Sequence, residues 1–203
     1  MLTINVAALA QDSLVNGPGR RNVLHVQGCS VGCSGCFNKH TWPKASGTVM
    51  DTGEAVRLLL EWEPDGITIS GGEPMEQWES VRHIIKEVHK RKPGINVMIF
   101  TGWARKRLKE KGLLEEMSKP FYLSRTLVSM VIAGPYIEEL ACVKPLISSS
   151  NQEIIYINPD CERVDLSKLP RVAVDCGPSG FVITGLPDRE TLEALTSPKE
   201  AKG

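Results

Sequence analysis

The chain has 203 residues, of which 41% are hydrophobic, and its 24 basic residues balance 24 acidic ones. This length suits one domain with a full core, and the neutral balance excludes a general attraction to nucleic acid or to a membrane surface. No basic and apolar leader opens the sequence, and no apolar run reaches membrane-spanning length. We therefore expect a cytoplasmic protein, in which clustered cysteines are metal ligands or redox groups more often than disulfides.

Strand-like and helix-like segments alternate along the chain. Short apolar runs predict strands over residues 2–9, 22–27, 67–70, 96–101, 127–133, 153–157 and 181–184. Apolar stripes, the first with Asp51 or Thr52 as its cap, predict helices over about 52–62, 76–90, 104–117 and 188–195; the third is basic and weakened near Gly112. We expect a single domain over residues 1–187, then a C-terminal helix and frayed tail over 188–203.

The order of elements from residue 22 to 101 is strand, helix, strand, helix, strand. It predicts an α/β fold with a mostly parallel sheet and right-handed crossovers. In such sheets ligands bind beyond the carboxyl ends of the strands. The loops at residues 28–36, 71–74 and 101–102 follow predicted strands, so we expect them to meet at one rim.

The first of these loops carries Cys29, Cys33 and Cys36 in the spacing C-x-x-x-C-x-x-C. Thiolates are the soft ligands that an iron–sulfur cluster requires, and the glycines among them allow the backbone to wrap closely around it. Three protein ligands around a [4Fe–4S] cube leave one iron open to a small molecule. The loop therefore favours cluster chemistry.

Other interpretations of this loop stay open. His40 follows Cys36 by four positions, so Cys29, Cys33, Cys36 and His40 could form a structural zinc site. Cys33 and Cys36 alone could form a redox pair, or all three cysteines could be incidental. The other cysteines have no such spacing, and we expect them to be buried as small hydrophobic residues: Cys142, Cys161 and Cys176.

The second loop has the sequence Gly71-Gly72-Glu73-Pro74 and follows a predicted strand. Two glycines at a strand end let backbone atoms approach a ligand closely. Their carbonyls could accept hydrogen bonds from an ammonium group, to which Glu73 could add a charge-assisted bond. The plainer alternative is a turn in which Glu73 and Pro74 begin the next helix.

Together, the three cysteines and the Gly-Gly-Glu-Pro loop resemble those of the radical S-adenosylmethionine enzymes. Within that superfamily the chain is similar to the activating proteins of anaerobic ribonucleoside-triphosphate reductase, which are glycyl-radical activases. The similarity extends from about residue 14 to 157. The matching segments are residues 17–22, 27–29, 33–38, 40–42, 100–103, 134–137 and 149–152.

This resemblance implies a fold and two cofactors. The fold is a partial, open β/α barrel. The ligands of one [4Fe–4S] cluster fall on Cys29, Cys33 and Cys36, and S-adenosylmethionine would bind the open iron through its amino and carboxylate groups. The family's contacts to that cofactor fall on Gly35 and Phe37 near the adenosine and on Gly71, Gly72 and Glu73 near the methionine amine.

The resemblance also implies a reaction. A flavodoxin or ferredoxin reduces the cluster, S-adenosylmethionine is cleaved to methionine and a 5′-deoxyadenosyl radical, and that radical takes the Cα hydrogen of a glycine in the large reductase subunit. The chemistry belongs to the cofactors, so no catalytic side chain is expected. The chain would be an oxidoreductase that works anaerobically and binds neither nucleic acid nor membrane.

Three positions depart from the pattern of these activators. Aspartates usually stand where this chain has Ser129 and Ala133, and an arginine usually stands where it has Glu153. All three lie in the half expected to meet the substrate. A small radical enzyme acting on another peptide or on a metabolite therefore remains an alternative, as does a zinc-binding interaction module.

Overall fold

The computed structural model describes residues 2–123, 125–177 and 180–185. In this part of the chain a seven-stranded sheet and two two-stranded sheets combine with helices in an α/β fold. The helix and tail expected over residues 188–203 lie outside the described residues. Among the helices described here, none has the length and apolar character needed to cross a membrane.

The described part of the chain contains eleven strands and four α-helices. The strands are β1 Thr3–Ser13, β2 Arg21–Val26, β3 Thr48–Asp51, β4 Gly66–Gly71, β5 Asn96–Thr101, β6 Met130–Ala133, β7 Ala141–Lys144, β8 Ile147–Ser149, β9 Glu153–Tyr156, β10 Val172–Gly177 and β11 Gly180–Gly185. The helices are α1 Thr52–Leu59, α2 Trp78–Arg91, α3 Arg105–Glu110 and α4 Leu113–Ser118.

The large sheet has the strand order β3-β1-β2-β4-β5-β6-β9. Its four central strands, β2, β4, β5 and β6, are parallel as predicted. The edges are antiparallel, because β1 pairs with β2 and β3, and β9 pairs with β6, in that direction. The sheet is therefore mixed, with the predicted parallel strands at its centre and antiparallel strands at its edges. The turn at residues 14–20 joins β1 to β2 without the crossover element that parallel pairing requires.

Helices α1 and α2 cover one face of this sheet. Side chains alternate between faces along a strand, so alternate residues of the central strands meet the apolar stripes of the helices. Among the buried residues of this core are Leu24, Val26, Val56, Leu59, Ile67, Ile69, Val81, Ile84, Ile85, Val88, Val97, Ile99 and Val131. The other face carries a smaller cluster, including Met98, Met130 and Ile132.

Two local predictions about the helices have different outcomes. Asp51 caps α1 as expected, since its carboxylate accepts a hydrogen bond from the Gly53 N–H at 2.8 Å. The single basic helix over 104–117 is wrong. Gly112 adopts the left-handed conformation, with φ of +68°, and this divides the segment into α3 and α4.

Arg21 closes the amino ends of the parallel strands. Its side chain is fully buried, and its guanidinium donates to the Thr68 hydroxyl at 2.7 Å and to the carbonyl oxygens of Pro18, Ile67 and Asn96. Burial lowers the pKa of Arg21 to about 9. At this end of the sheet, the protein buries a cation whose hydrogen-bond acceptors are all uncharged.

Candidate functional site

The carboxyl ends of the four parallel strands surround a cavity of about 120 Å³. The loop after β2 contributes Cys29, Cys33 and Cys36 to its wall. The other strands contribute residues 70–73, residues 100–102 and the segment around Tyr136. The three loops expected to meet at one rim therefore do so, as parallel strand polarity requires.

Backbone hydrogen bonds fix the start of the cysteine loop. The Gly28 N–H donates to the Thr41 carbonyl at 2.8 Å, and the Cys29 N–H donates to the Trp42 carbonyl at 3.1 Å. Later in the loop, the Cys36 N–H donates to the Cys33 carbonyl at 3.2 Å. The loop is thus folded against the segment that follows it.

Backbone N–H groups point at two of the three thiols. Those of Val31 and Gly32 donate to Cys29, and that of Tyr136 donates to Cys33. Burial raises the pKa of both thiols, while these hydrogen bonds oppose the rise. Such donors would stabilise sulfur in its thiolate form, which is the form that binds metal.

The four-ligand zinc site is not assembled. His40 is exposed, and its backbone carbonyl accepts a hydrogen bond from the Gln27 side chain at 3.1 Å. Within the described ranges, no three His, Cys, Asp or Glu side chains are grouped so that they could hold a metal ion. A cluster has a different requirement, because each cysteine binds its own iron rather than one shared ion.

Gly71 and Gly72 lie against the backbone that leads into the cysteine loop. Gly71 has φ of +94°, and a Cβ atom added at Gly72 would lie 2.3 Å from the Gly28 carbonyl oxygen. The Gly72 N–H donates to the Val26 carbonyl at 2.7 Å, and the Glu73 N–H to that of Gly28 at 2.9 Å. We expected these glycines to let a ligand approach the backbone closely. In the structure, they let two backbone segments of the protein pack closely against each other.

Glu73 is fully buried at the cavity wall. Its carboxylate accepts hydrogen bonds from the Met75 N–H at 2.9 Å, the Thr101 hydroxyl at 2.7 Å and the Gly102 N–H at 2.9 Å. Burial raises the pKa of its carboxyl, and the three donors oppose that rise. The bond to Met75 caps the 3-10 turn Pro74–Gln77, so the plainer interpretation of this motif, a turn at the start of the next helix, is confirmed.

Gly35 and Phe37 lie beside the cavity rather than in its wall. Gly35 has φ of +73°, and a Cβ atom there would lie 2.9 Å from a Glu138 carboxylate oxygen and 3.0 Å from the Tyr136 ring. Phe37 is 46% exposed. The aromatic ring next to the cysteine loop is therefore accessible to an incoming group.

Sequence reasoning gave Tyr136 no role, yet it joins the far side of the sheet to the cysteines. Gln152 donates to the Gly134 carbonyl at 3.1 Å, and Asn151 donates to the Pro135 carbonyl at 2.8 Å. These bonds hold the turn from which the Tyr136 N–H reaches Cys33. Two of the segments that resemble the activating proteins, residues 134–137 and 149–152, are therefore hydrogen-bonded to each other.

The three departing positions are not among the residues that line the cavity, although Ala133 lies between Ile132 and Gly134, which are. The Ser129 hydroxyl accepts a hydrogen bond from the Val97 N–H at 3.1 Å, Ala133 is buried, and Glu153 pairs with Arg105 at 2.6 Å. These contacts are internal or on the surface of the sheet. None of these contacts involves Cys29, Cys33 or Cys36.

The remaining cysteines differ from one another. Cys161 is buried as expected, and its sulfur accepts a hydrogen bond from the Asn96 amide at 3.2 Å. Cys142 is only half-buried on β7, so the expectation of burial is wrong there. The side chain of Cys176 falls outside the described part of the chain.

Comparison with known proteins gives a consistent family assignment. Residues 15–155 match the family model described as a 4Fe-4S single cluster domain. The anaerobic ribonucleoside-triphosphate reductase-activating protein of Enterobacteria phage T4 is 30% identical over 145 residues, covering 69% of this chain and 86% of the relative. The protein of that name from Salmonella typhi is 24% identical over 150 residues, covering 70% and 92%.

A shorter match concerns another kind of activating enzyme. The pyruvate formate-lyase-activating enzyme of Clostridium pasteurianum is 36% identical over 92 residues, which cover 42% of this chain and 39% of the relative.

Proposed function

The chain belongs to the 4Fe-4S single cluster domain family, and on that basis we propose that it is a radical S-adenosylmethionine enzyme that generates a glycyl radical on anaerobic ribonucleoside-triphosphate reductase. Relatives covering more than two thirds of the chain are activating proteins of that reductase. The observation that carries the proposal is the meeting of three cysteines and one buried glutamate at a single cavity.

The cysteines have the chemistry that a [4Fe–4S] cluster requires. Cys29, Cys33 and Cys36 would each hold one iron, and the N–H groups directed at Cys29 and Cys33 would stabilise the thiolate form. When bound, the cluster supplies the electron that cleaves S-adenosylmethionine to methionine and a 5′-deoxyadenosyl radical. The remaining tasks of binding, orientation and exclusion of water fall to the protein.

Glu73 would receive the methionine amine of S-adenosylmethionine. Its buried carboxylate is already oriented by three neutral donors, so an N–H of the cofactor's amino group at the wall would add a charge-assisted hydrogen bond. The backbone of Gly71 and Gly72 forms part of the same cavity wall. We also propose that Gly35 and the exposed ring of Phe37 contact the adenosine, beside the cysteines.

We propose a partial, open β/α barrel for the four parallel strands and their flanking helices. The antiparallel β9 ends the sheet beside β6 instead of continuing the β/α alternation. An open side of this kind would admit a glycine-bearing loop of another protein. The two core clusters lie on opposite faces of one sheet, which supports a single domain over residues 1–187.

An acidic electron carrier such as a flavodoxin or ferredoxin is the proposed reductant. The basic helix α3 begins just after Gly102, where a Cβ atom would lie 3.0 Å from the Val31 side chain of the cysteine loop. The exposed cations of α3 therefore follow directly after a segment that contacts the cysteine loop. Opposite charge on the carrier would speed its encounter with this surface.

The test is to reconstitute the protein with iron and sulfide without oxygen and mix it with S-adenosylmethionine, a reductant and the large subunit of the anaerobic reductase. We expect 5′-deoxyadenosine release and a doublet electron paramagnetic resonance signal on the large subunit. A large subunit whose radical-site glycine is replaced by alanine is the matched control. Release of 5′-deoxyadenosine without a doublet would assign a different target, and no release would refute the proposal.

A further inference from the structure

Glu76 connects the Gly-Gly-Glu-Pro loop to the cysteine loop. It lies in the 3-10 turn Pro74–Gln77, and its Oε1 atom accepts hydrogen bonds from the Ser30 backbone N–H at 2.9 Å and from the Ser30 hydroxyl. Ser30 directly follows Cys29 in the sequence. The carboxylate therefore holds the backbone immediately after the first cysteine.

The second oxygen of the same carboxylate is paired with Lys44. Glu76 Oε2 lies 2.8 Å from Lys44 Nζ, and the Glu76 side chain is only 14% exposed. The lysine stem crosses Gly28, where a Cβ atom would lie 3.2 Å from Lys44 Cγ. The Lys44 ammonium also interacts electrostatically with Cys29. A carboxylate and an ammonium thus lie beside one thiol of the cavity.

We propose that Glu76, oriented by Lys44, is a positioning residue that fixes Cys29 for cluster binding and sets the local charge beside it. The proposal rests on the proposed function, because it takes Cys29 as a cluster ligand. A hydrogen bond from an N–H group to a carboxylate is stronger than one between neutral groups. It opposes the backbone freedom that Gly28 and Gly32 give to this loop.

The two roles can be separated by substitution. Glu76→Gln keeps an oxygen that can accept from Ser30 but removes the charge, whereas Glu76→Ala removes both. Glu79 is the matched control, because it lies three residues further on in α2 and is exposed. Glu79→Gln and Glu79→Ala repeat the same chemical changes without touching the cysteine loop.

Positioning is tested on the metal-free protein. Iodoacetamide labelling is followed by mass spectrometry of the peptides, with Cys33 as the internal reference for Cys29. We expect Glu76→Ala to speed labelling of Cys29 about tenfold, the factor that corresponds to one lost charged hydrogen bond. Glu76→Gln should speed it less than Glu76→Ala does, because only the charge beside the thiol is lost while the oxygen acceptor for Ser30 is retained.

Two outcomes would overturn the positioning role. One is equal labelling of Cys29 in Glu76→Ala and Glu79→Ala. The other is an equal rise in Glu76→Ala and Glu76→Gln, which would mean that only the charge matters to this thiol. The assay needs no cluster, so it gives a result even if the parent protein binds no iron, and a failure of the proposed function is seen separately.

Local charge is tested on the reconstituted protein by a redox titration. Iron–sulfur potentials respond to nearby charge and to hydrogen bonds. Loss of the carboxylate should shift the potential upward in both Glu76→Gln and Glu76→Ala, and Lys44→Met should shift it downward. A potential in the Glu76 variants equal to that of Glu79→Gln would overturn this part of the proposal.

Discussion

The two ends of the parallel strands bury opposite charges in similar ways but to different effect. At the amino end, the Arg21 cation donates to one hydroxyl and three carbonyl oxygens. At the carboxyl end, the Glu73 anion accepts from one hydroxyl and two backbone N–H groups. Burial disfavours the charged form of both, lowering the pKa of Arg21 to about 9 and raising that of Glu73.

The difference between the ends lies in what surrounds each charge. The Arg21 side chain fills its own end of the sheet, while Glu73 borders a cavity together with the three cysteines. Removal of a charge enclosed by protein leaves its buried hydrogen-bond partners unpaired, whereas a charge at the wall of a cavity also remains available to a ligand. Changes at the amino end should therefore alter stability, and changes at the carboxyl end should alter cofactor binding.

Replacing a proposed cluster ligand should have the largest effect. We expect Cys33→Ala to lose the brown colour of the reconstituted protein and all cleavage of S-adenosylmethionine, because a cluster held by two thiolates is not retained. Iron and sulfide analysis and 5′-deoxyadenosine release are the measurements. Cys142→Ser, at a half-buried position on β7, is the control and should retain both properties. Normal cleavage by Cys33→Ala would disprove the ligand assignment.

Removing the amino-end cation should mainly affect stability. Arg21→Met leaves the carbonyl oxygens of Ile67 and Asn96 without this buried donor, so the free energy of unfolding should fall by about 3 kcal/mol. Urea unfolding of the metal-free protein measures the loss. Folded Arg21→Met, held well below its unfolding transition, should bind S-adenosylmethionine like the parent. A selective loss of binding with unchanged stability would reverse the assigned roles of the two ends.

Glu73→Gln should show the opposite pattern. It removes the negative charge proposed to receive the methionine amine, so the dissociation constant for S-adenosylmethionine should rise roughly 10- to 100-fold. Equilibrium binding to the reconstituted protein provides the value. Glu79→Gln, which changes an exposed carboxylate, is the control. Parental affinity in Glu73→Gln would remove Glu73 from the proposed cofactor site.

Phe37→Ala should have a smaller effect at the edge of the same site. Because Phe37 is 46% exposed, the free energy of unfolding should change by less than about 0.5 kcal/mol. Loss of ring contact with adenosine should weaken S-adenosylmethionine binding by about fivefold. If affinity is unchanged, the adenosine contact proposed for Phe37 is wrong and the other assignments stand.

The pH dependence of stability gives the smallest expected signal. Burial raises the pKa of Glu73 above its ordinary value of 4.5, so the folded protein holds this proton more tightly than the unfolded chain. This group's contribution to stability is therefore lost as the pH rises from about 4.5 through the raised pKa. The unfolding free energy of the parent minus that of Glu73→Gln should therefore decrease as the pH rises over that range. A difference that rises with pH would contradict the raised pKa.

The sequence predicted the parts of the molecule that local patterns encode. The strand over residues 96–101 was predicted with the observed bounds, because its apolar residues lie between turn signals. The cysteine spacing and the Gly-Gly-Glu-Pro motif likewise placed Cys29 and Glu73 at one rim. These signals depend on neighbouring residues and on strand polarity.

Contacts between residues far apart in the sequence could not be predicted from local patterns. Strand β3 was missed because Thr48–Asp51 is stabilised by pairing with the edge of β1 rather than by an apolar run of its own. The link from Tyr136 to Cys33 joins positions about a hundred residues apart. The ion pair of Glu76 with Lys44 similarly depends on how two loops fold together, which spacing along the chain does not reveal.

The most direct test of the central claim is electron–nuclear double resonance on the reduced, reconstituted protein mixed with S-adenosylmethionine carrying ¹⁵N in its amino group. If three cysteines leave one iron open, the reduced cluster will show a ¹⁵N coupling that is absent when the same protein is mixed with unlabelled S-adenosylmethionine. A fully loaded cluster that shows no such coupling would contradict the account.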